Sequence, residues 1–270
     1  MYTLETSNQV TLDRDTSHYL QSVLRKKEGA QVRVFNARDG EFVCTMAAAA
    51  MPKRNAPVTL EVNERIRLPF DPAQEQGPPP PVLYFGIIKR TRLKILLEKA
   101  SELGVRHLVP IVTKNAQSAS VALAPQAVRR LLVESAEQCE RLDVATLHAP
   151  MHLSDLLDGW ATGTGLMGVT EAERSAGVPP APLLVCQERA PAAPPLLRAV
   201  MSGAETGAHS LLTKRVLIGP EGGFSHEELR DLSRHSFVQF VSLGCTVLRA
   251  ETAGVVALAT IMAATDAGLE

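Results

Sequence analysis

Six prolines fall within one short run, "PFDPAQEQGPPPP" (residues 69–81). Neither a helix nor a central strand can pass through it, because proline donates no N–H and its ring collides with the preceding turn. Successive prolines favour an extended, hydrogen-bond-free chain instead. The 270 residues therefore divide into residues 1–70, a linker over 71–81, and residues 82–270, each flanking piece long enough for a core of its own. Ahead of the run, "QVRVFNARDGEFVCTM" reads as two alternating strands about a turn at Asp39-Gly40, and "VTLEVNERIRL" as another. The first piece is a small β-rich module.

Beyond the prolines the period changes. "VLYFGII" is a buried-strand run, and Leu93, Leu96, Leu97, Ala100 and Leu103 then recur at helical spacing up to a stop at Gly104. "HLVPIV" is a strand whose proline belongs near a sheet end. Pro125 opens a helix with an inner stripe of Val128, Leu131, Leu132, Ser135, Cys139 and Leu142. Further strands fall at "LLVC", "RVLI" and "FVQFVS", with helices starting near Ser225 and Thr252. Strand and helix alternate, so this piece is α/β with a mainly parallel sheet. Residues 161–182 and 188–210 read as surface insertions.

Composition narrows the function. With 28 basic against 29 acidic residues the net charge is -1, which excludes a uniformly basic nucleic-acid coat and leaves room for local patches. The four cysteines are far apart and form no CxxC pair, so neither a metal nor a disulfide framework is expected. The most apolar stretch, 254–264, is too short to span a bilayer. A cytoplasmic protein without membrane attachment is the expectation.

Two polar strand-to-helix loops carry the chemistry. In "LIGPEGGFSHEEL", Ile218 ends a strand and Ser225 with Glu228 forms a capping box. Loops of this kind bind ligands in open α/β sheets. The spacing matches neither the dinucleotide fingerprint nor the P-loop, no lysine follows, and Glu221 would repel a phosphate. On this loop alone, a nucleoside-like or sulfonium ligand and a plain connecting turn are equally compatible. "LGCTVLRAETAGVVALA" follows another strand and places Arg249, Glu251 and Thr252 at a helix start. Two such loops close in the chain favour a shared site over a surface ion pair.

"IGPEGGFSHEEL" with "LGCTVLRAETA" resembles the C-terminal signature of the bacterial 16S ribosomal RNA (uracil-N3)-methyltransferases, a SPOUT-type family. "LLEKASELGVRHLVPIVT" and "ESAEQCERLDVATLHAP" resemble its central motifs, and "HYLQSVLRKKEGAQVRVFNARDGEF" its PUA-like RNA-binding module. The resemblance implies a PUA-like β-barrel over 1–70, a methyltransferase domain over 82–270 with a trefoil knot, a homodimer, and 16S rRNA in the small ribosomal subunit as partner. It also implies S-adenosylmethionine as cofactor, bound at Gln187 and Glu188, at Ile218, Gly219, Pro220, Gly222 and Gly223, and at Leu243, Gly244, Val247, Leu248 and Ala253. The chain departs from the pattern at its N-terminus, which lacks an Arg-containing strand start, at Thr246, and at Asn115 beside Lys114.

A uracil N3 carries a proton on the pairing edge, so the base must be unpaired before it is modified. A fixed cation would stabilise the charge left when that proton departs. Arg249 is the candidate, with Glu221 and Glu251 orienting it or taking the proton. Basic runs supply RNA contacts: Lys89, Arg90, Arg92 and Lys94 in "KRTRLK", Arg25, Lys26 and Lys27 in "LRKKEG", and Lys53 and Arg54 in "PKRN". Charge runs are commonly solvated faces, and only the methyltransferase signature turns them into phosphate contacts. His18 reads as structural. Glu134, Gln138 and Arg141 form a polar row that faces solvent or, by the resemblance, the site or an interface. Two alternatives accompany the main reading: methylation of another rRNA or tRNA position, and an inactive RNA-binding assembly factor.

Overall fold

The computed structural model describes residues 3–47, 57–70, 80–116, 124–162, 182–188, 190, 192–205 and 214–266. Lys53, Arg54, most of the proline linker, most of the first expected insertion and part of the second lie outside them. The chain forms two compact units, residues 1–75 with 140–143, and residues 76–139 with 144–270.

In the first unit, β1 (Gln9–Thr11), α1 (Arg14–His18), a π-helical turn (Tyr19–Val23), β2 (Gln31–Asn36), β3 (Gly40–Met46) and β4 (Thr59–Arg67) follow in order. The strands make an antiparallel sheet in the order β1-β4-β3-β2. Its core gathers Val10, Leu20, Phe42, Cys44, Leu60 and Val62, with the Cys44 thiol pushed up to about 11 by burial. Asn36 and Asp39 tie the β2–β3 turn, where Asn36 Oδ1 accepts from Asp39 N at 2.6 Å and Gly40 takes φ +97. Segment 140–143 joins this unit through Glu140, whose carbonyl accepts from Arg67 Nη2 at 2.7 Å.

The second unit holds a parallel sheet of β5 (Val82–Gly86), β6 (His107–Val112), β7 (Thr146–Leu147), β8 (Met151–His152), β9 (Leu183–Cys186), β10 (Arg215–Ile218) and β11 (Val238–Val241). The order is β11-β9-β10-β5-β6-β7, with β8 also on β6. Its helices are α2 (Arg90–Glu102), α3 (Pro125–Gln138), α4 (Leu153–Thr162), α5 (Leu196–Glu205), α6 (His226–Ser233) and α7 (Ala250–Asp266). The near-continuous apolar strands are covered on both faces, as a parallel sheet requires. One face packs Leu83, Phe85, Val216 and Ile218 with residues of α2, α3, α5 and α7. The other packs Tyr84, Val109, Val185 and Leu217 with Trp160 of α4 and Leu232 of α6. No described helix is long and apolar enough to cross a membrane.

α2 buries Leu93, Leu96, Leu97 and Ala100 and ends before Gly104 at φ +81, following its sequence period. Two expectations need correction, and a third needs detail. β6 is the last strand but one, so Pro110 does lie near a sheet end, although the strand pairs on both sides, with Pro110 opposite Phe85. Leu108 O accepts from His148 N at 2.9 Å, so Pro110, two residues on, turns its missing N–H to the same side. That side is interrupted between β7 and β8, and no ladder bond is lost. The stripe of α3 stops short: Val128, Leu132, Ser135 and Ala136 are buried, Cys139 is exposed, and the helix has ended at Gln138. Finally, part of the second expected insertion is α5, which buries Leu196 and Val200. Pro194 and Pro195 pair with Ser242 just before it, as prolines at a helix entrance rather than in a loop.

Candidate functional site at the carboxyl edge of the parallel sheet

All strands of the second sheet run parallel, so the loops after β5, β6, β9, β10 and β11 leave one edge. The loop after β10 contains the glycines. Gly223 N donates to Pro220 O at 2.9 Å, closing a turn that needs Gly223 at φ +67, a conformation glycine adopts without steric cost. The helix behind it starts as expected, with Ser225 Oγ accepting from Glu228 N at 3.3 Å and Ser225 N donating to Glu228 Oε2 at 2.8 Å.

Neighbouring loops clamp this turn. From the loop after β6, Asn115 Nδ2 donates to Gly222 O at 3.3 Å and to Gly223 O at 3.2 Å. Lys114 N donates to Glu228 Oε1 at 2.7 Å, and its ammonium holds Glu227 Oε2 at 2.7 Å. That contact raises the Lys114 pKa and lowers that of Glu227. A side chain on Gly223 would come within 2.9 Å of Glu188 Oε1, from the loop after β9, and one on Gly222 within 3.1 Å of Asn115 Cβ. From β5, Gly86 lies so close that a Cβ there would collide with the backbone nitrogen of Pro220. Gln187 N donates to Val241 O at 3.1 Å, linking the β9 and β11 ends.

The loop after β11 leaves Gly244 and Val247 exposed and Leu243 and Leu248 half-buried against the core. Gly244 takes φ +124 with open space where a side chain would stand. Ile218, Pro220 and Ala253 are buried. Arg249 is exposed, and its guanidinium makes no hydrogen bond or ion pair with described residues. Glu221 is exposed and stands 3.9 Å from the Lys89 ammonium.

Glu251 sits differently. It is 5% exposed, and its Oε1 accepts from Arg92 Nη1 at 2.8 Å while Oε2 is buried with no hydrogen-bond partner. The structure thus brings Arg92 of the basic run to Glu251 of the C-terminal loop. Gly254, one turn along α7, comes within 2.5 Å of Leu96 Cδ1 measured from its would-be Cβ, so the two helices meet closely. Arg90 and Lys94 remain exposed, as do Arg25, Lys26 and Lys27 in the first unit, Arg25 at φ +52. Along α3, Glu134 and Gln138 are exposed, whereas Arg141 beyond the helix pairs with Asp143 at 2.7 Å.

A model of an RNA methyltransferase domain matches residues 76–262, more than half of the chain, and one of an RNA methyltransferase PUA domain matches residues 12–54. The chain belongs to the RsmE family of RNA methyltransferases. Curated relatives named ribosomal RNA small subunit methyltransferase E include one from Rickettsia conorii, 28% identical over 90% of this chain and 85% of the relative. Another, from Synechocystis, is 29% identical over 94% of this chain and 73% of its own length. A crystal structure of ribosomal RNA small subunit methyltransferase E from Neisseria gonorrhoeae bound to S-adenosyl methionine superposes with a TM-score of 0.72 at 19% identity, covering 97% of this chain and 94% of that one. Its likeness extends through both units of the fold.

The residues present suit such a cofactor. Gly219 to Gly223 contains no lysine or arginine, and the glycines let backbone approach a ligand. Val247 is 54% exposed beside half-buried Leu243 and Leu248, which gives a nucleoside an apolar contact and offers nothing to a triphosphate. Sequence reasoning missed Gly86 and the two roles of the β6 loop. A glycine closing a buried strand run was the available signal for the first; nothing local pointed to the second.

Proposed function

We propose that the chain transfers a methyl group from S-adenosylmethionine to N3 of an unpaired uridine in 16S rRNA of the small ribosomal subunit, working as a knotted homodimer in the cytoplasm. The observation that carries this reading is the clamped glycine turn at the same sheet edge as Arg249, which is exposed and makes no ion pair with described residues. The family match and the relatives' names support the substrate class. Leu197 and Met201 of α5 and Met262 of α7 are exposed apolar side chains on two helices packed together, a surface suited to a second copy.

Gln187, Glu188, Ile218 to Gly223, Leu243 to Leu248 and Ala253 hold the cofactor, chiefly through backbone groups. When bound, S-adenosylmethionine supplies an electrophilic methyl group. The protein's own tasks are electrostatic and positional. Arg249 places a guanidinium against the uracil imide and stabilises the negative charge as the N3 proton leaves. Glu221, exposed on the glycine turn, accepts that proton at a carboxylate oxygen. Glu251, buried and paired with Arg92, holds the Arg249 backbone at the start of α7. The exposed cations Lys89, Arg90 and Lys94, with Arg25, Lys26 and Lys27, contact phosphates, which makes binding strongly salt-dependent.

The test is methyl transfer from labelled cofactor to unmethylated small subunits, with naked 16S rRNA and tRNA in parallel and nucleoside mass analysis of the products. N3-methyluridine forms on subunits, and Arg249→Ala loses it while still binding S-adenosylhomocysteine. Product on tRNA alone, or a different methylated nucleoside, would refute the assignment. Light scattering at micromolar concentration checks the dimer.

A further inference from the structure

The second unit contains a cavity of about 570 Å³ whose lining includes no residue of the glycine turn or of the loops after β9 and β11. Ile87, Ile88 and Leu93 line it from the end of β5 and the start of α2, and Val128 and Leu132 from α3. Residues 144–150, which run along β6, complete the wall. Its size falls within the range of small-molecule sites. Arg129, Thr146 and His148 are the lining side chains that carry hydrogen-bonding groups.

Two contacts join this cavity to the glycine turn. Ile87 directly follows Gly86, whose Cα abuts Pro220, and Lys89, next to Ile88, reaches Glu221 at 3.9 Å. Neither α2 nor α3 has an acidic residue in its first turn. Arg90, Lys94, Arg129 and Arg130 are exposed and make no ion pair with described residues. Arg92 provides the contrast, since it is occupied by the Glu251 carboxylate. An apolar hollow with a few polar groups, Arg129 on its lining and further exposed cations on the same two helices, matches a ligand that is flat and apolar at one end and anionic at the other. That is the chemistry of an unpaired nucleotide, whose base is buried and whose phosphates stay outside.

We propose that this cavity receives an unpaired nucleotide of the RNA substrate, with Arg129 on its phosphate or base edge; this rests on the RNA methyltransferase reading and adds a substrate site to it. Ala149 lines the cavity and is exposed, so Ala149→Trp narrows the opening without disturbing the core. Arg129→Glu reverses the lining charge, and Arg129→Lys keeps it.

The probe is a single-stranded oligouridylate carrying 4-thiouridine, with unmethylated small subunits for turnover. Ala149→Trp and Arg129→Glu weaken oligouridylate binding at least tenfold and lower kcat/KM on subunits similarly, while S-adenosylhomocysteine affinity stays within twofold and the melting temperature is unchanged. Arg129→Lys recovers most of the loss, and crosslinks from the wild-type protein map to residues 87–93 or 125–150. The proposal is overturned if both variants bind oligouridylate within twofold of wild type, if crosslinks fall elsewhere, or if cofactor affinity drops in parallel. Wild-type protein that binds oligouridylate but no S-adenosylhomocysteine would instead undo the methyltransferase reading and leave the nucleotide site standing.

Discussion

Replacing Arg92 with methionine separates two roles for one residue, since a cation in a basic run serves either RNA or the fold. Its guanidinium lies 2.8 Å from Glu251 Oε1; the Arg92 side chain is 34% exposed and that of Glu251 only 7%. An exposed pair contributes about 0–1 kcal/mol, and removing one partner of a fully buried pair costs about 3–5 kcal/mol. Here the group left behind is buried while the departing one is a third exposed, which places the cost near ~2 kcal/mol once solvent screening is allowed for. At roughly 2–4 °C per kcal/mol for a domain of this size, the melting temperature falls by about 4–8 °C. Glu251→Gln in the same background removes the stranded charge and restores roughly half of the loss, and a double-mutant cycle reports a coupling on the order of 1 kcal/mol. Thermal melts of the four proteins are read beside the salt dependence of RNA binding. If Arg92 neutralises a phosphate, its replacement flattens the log–log salt slope by about 0.7–0.9; a structural Arg92 leaves the slope unchanged. Melting within about 1 °C of wild type, well below the shift expected from the buried pair, together with a flatter slope would refute the reasoning and return Arg92 to the RNA surface.

Gly86→Ala forces a Cβ into the Pro220 backbone, so a loss of at least about 2 kcal/mol in stability is expected, with weaker cofactor binding measured by calorimetry; wild-type values for both would rule out the close approach. Asn115→Ala removes two hydrogen bonds to the glycine turn, each worth about 1 kcal/mol, and should weaken S-adenosylhomocysteine roughly tenfold or more while RNA affinity holds; the converse pattern would place Asn115 on RNA. His107 Nδ1 and His148 Nε2 lie 3.1 Å apart. Burial, first, and then the neighbouring His148 and Arg106 lower the pKa of His107, and burial lowers that of His148. Below the ordinary histidine pKa of about 6.5 the unfolded chain binds the protons that the folded one resists, so stability present at about pH 7.5 declines towards about pH 5.5. His148→Asn should reduce that decline, and an unaltered pH profile would show that the pair does not set it.

Local signals explain what was legible. Leu93, Leu96, Leu97 and Ala100 repeat with the helical period, and Ser225 and Glu228 meet across three residues, so both features follow from neighbours in the chain. The turn at Asp39-Gly40 is equally local, because Asn36 and Gly40 meet its geometry within five residues. What was not legible depended on distant partners. Pro110 is harmless inside the sheet only because β7 and β8 leave a gap opposite it. The prolines before α5 read as loop until Ser242 is placed alongside them. That Arg92 meets Glu251 was not legible either, because the two are 159 residues apart.

The sequence by itself determined the β-rich character of the first unit, the alternation that makes the larger unit α/β, and the capped helix start behind the glycine turn. These follow from backbone restriction and hydrophobic period, which act over a few residues. Tertiary structure alone decided that Asn115, Glu188 and Gly86 converge on the glycine turn, that Glu251 is buried and paired with Arg92 while Arg249 is exposed without an ion pair to described residues, and that a cavity lined by Arg129 opens between α2, α3 and β6. Each of those is a matter of which charges and surfaces are brought together and removed from water, and that is set by the order and packing of strands far apart in the chain.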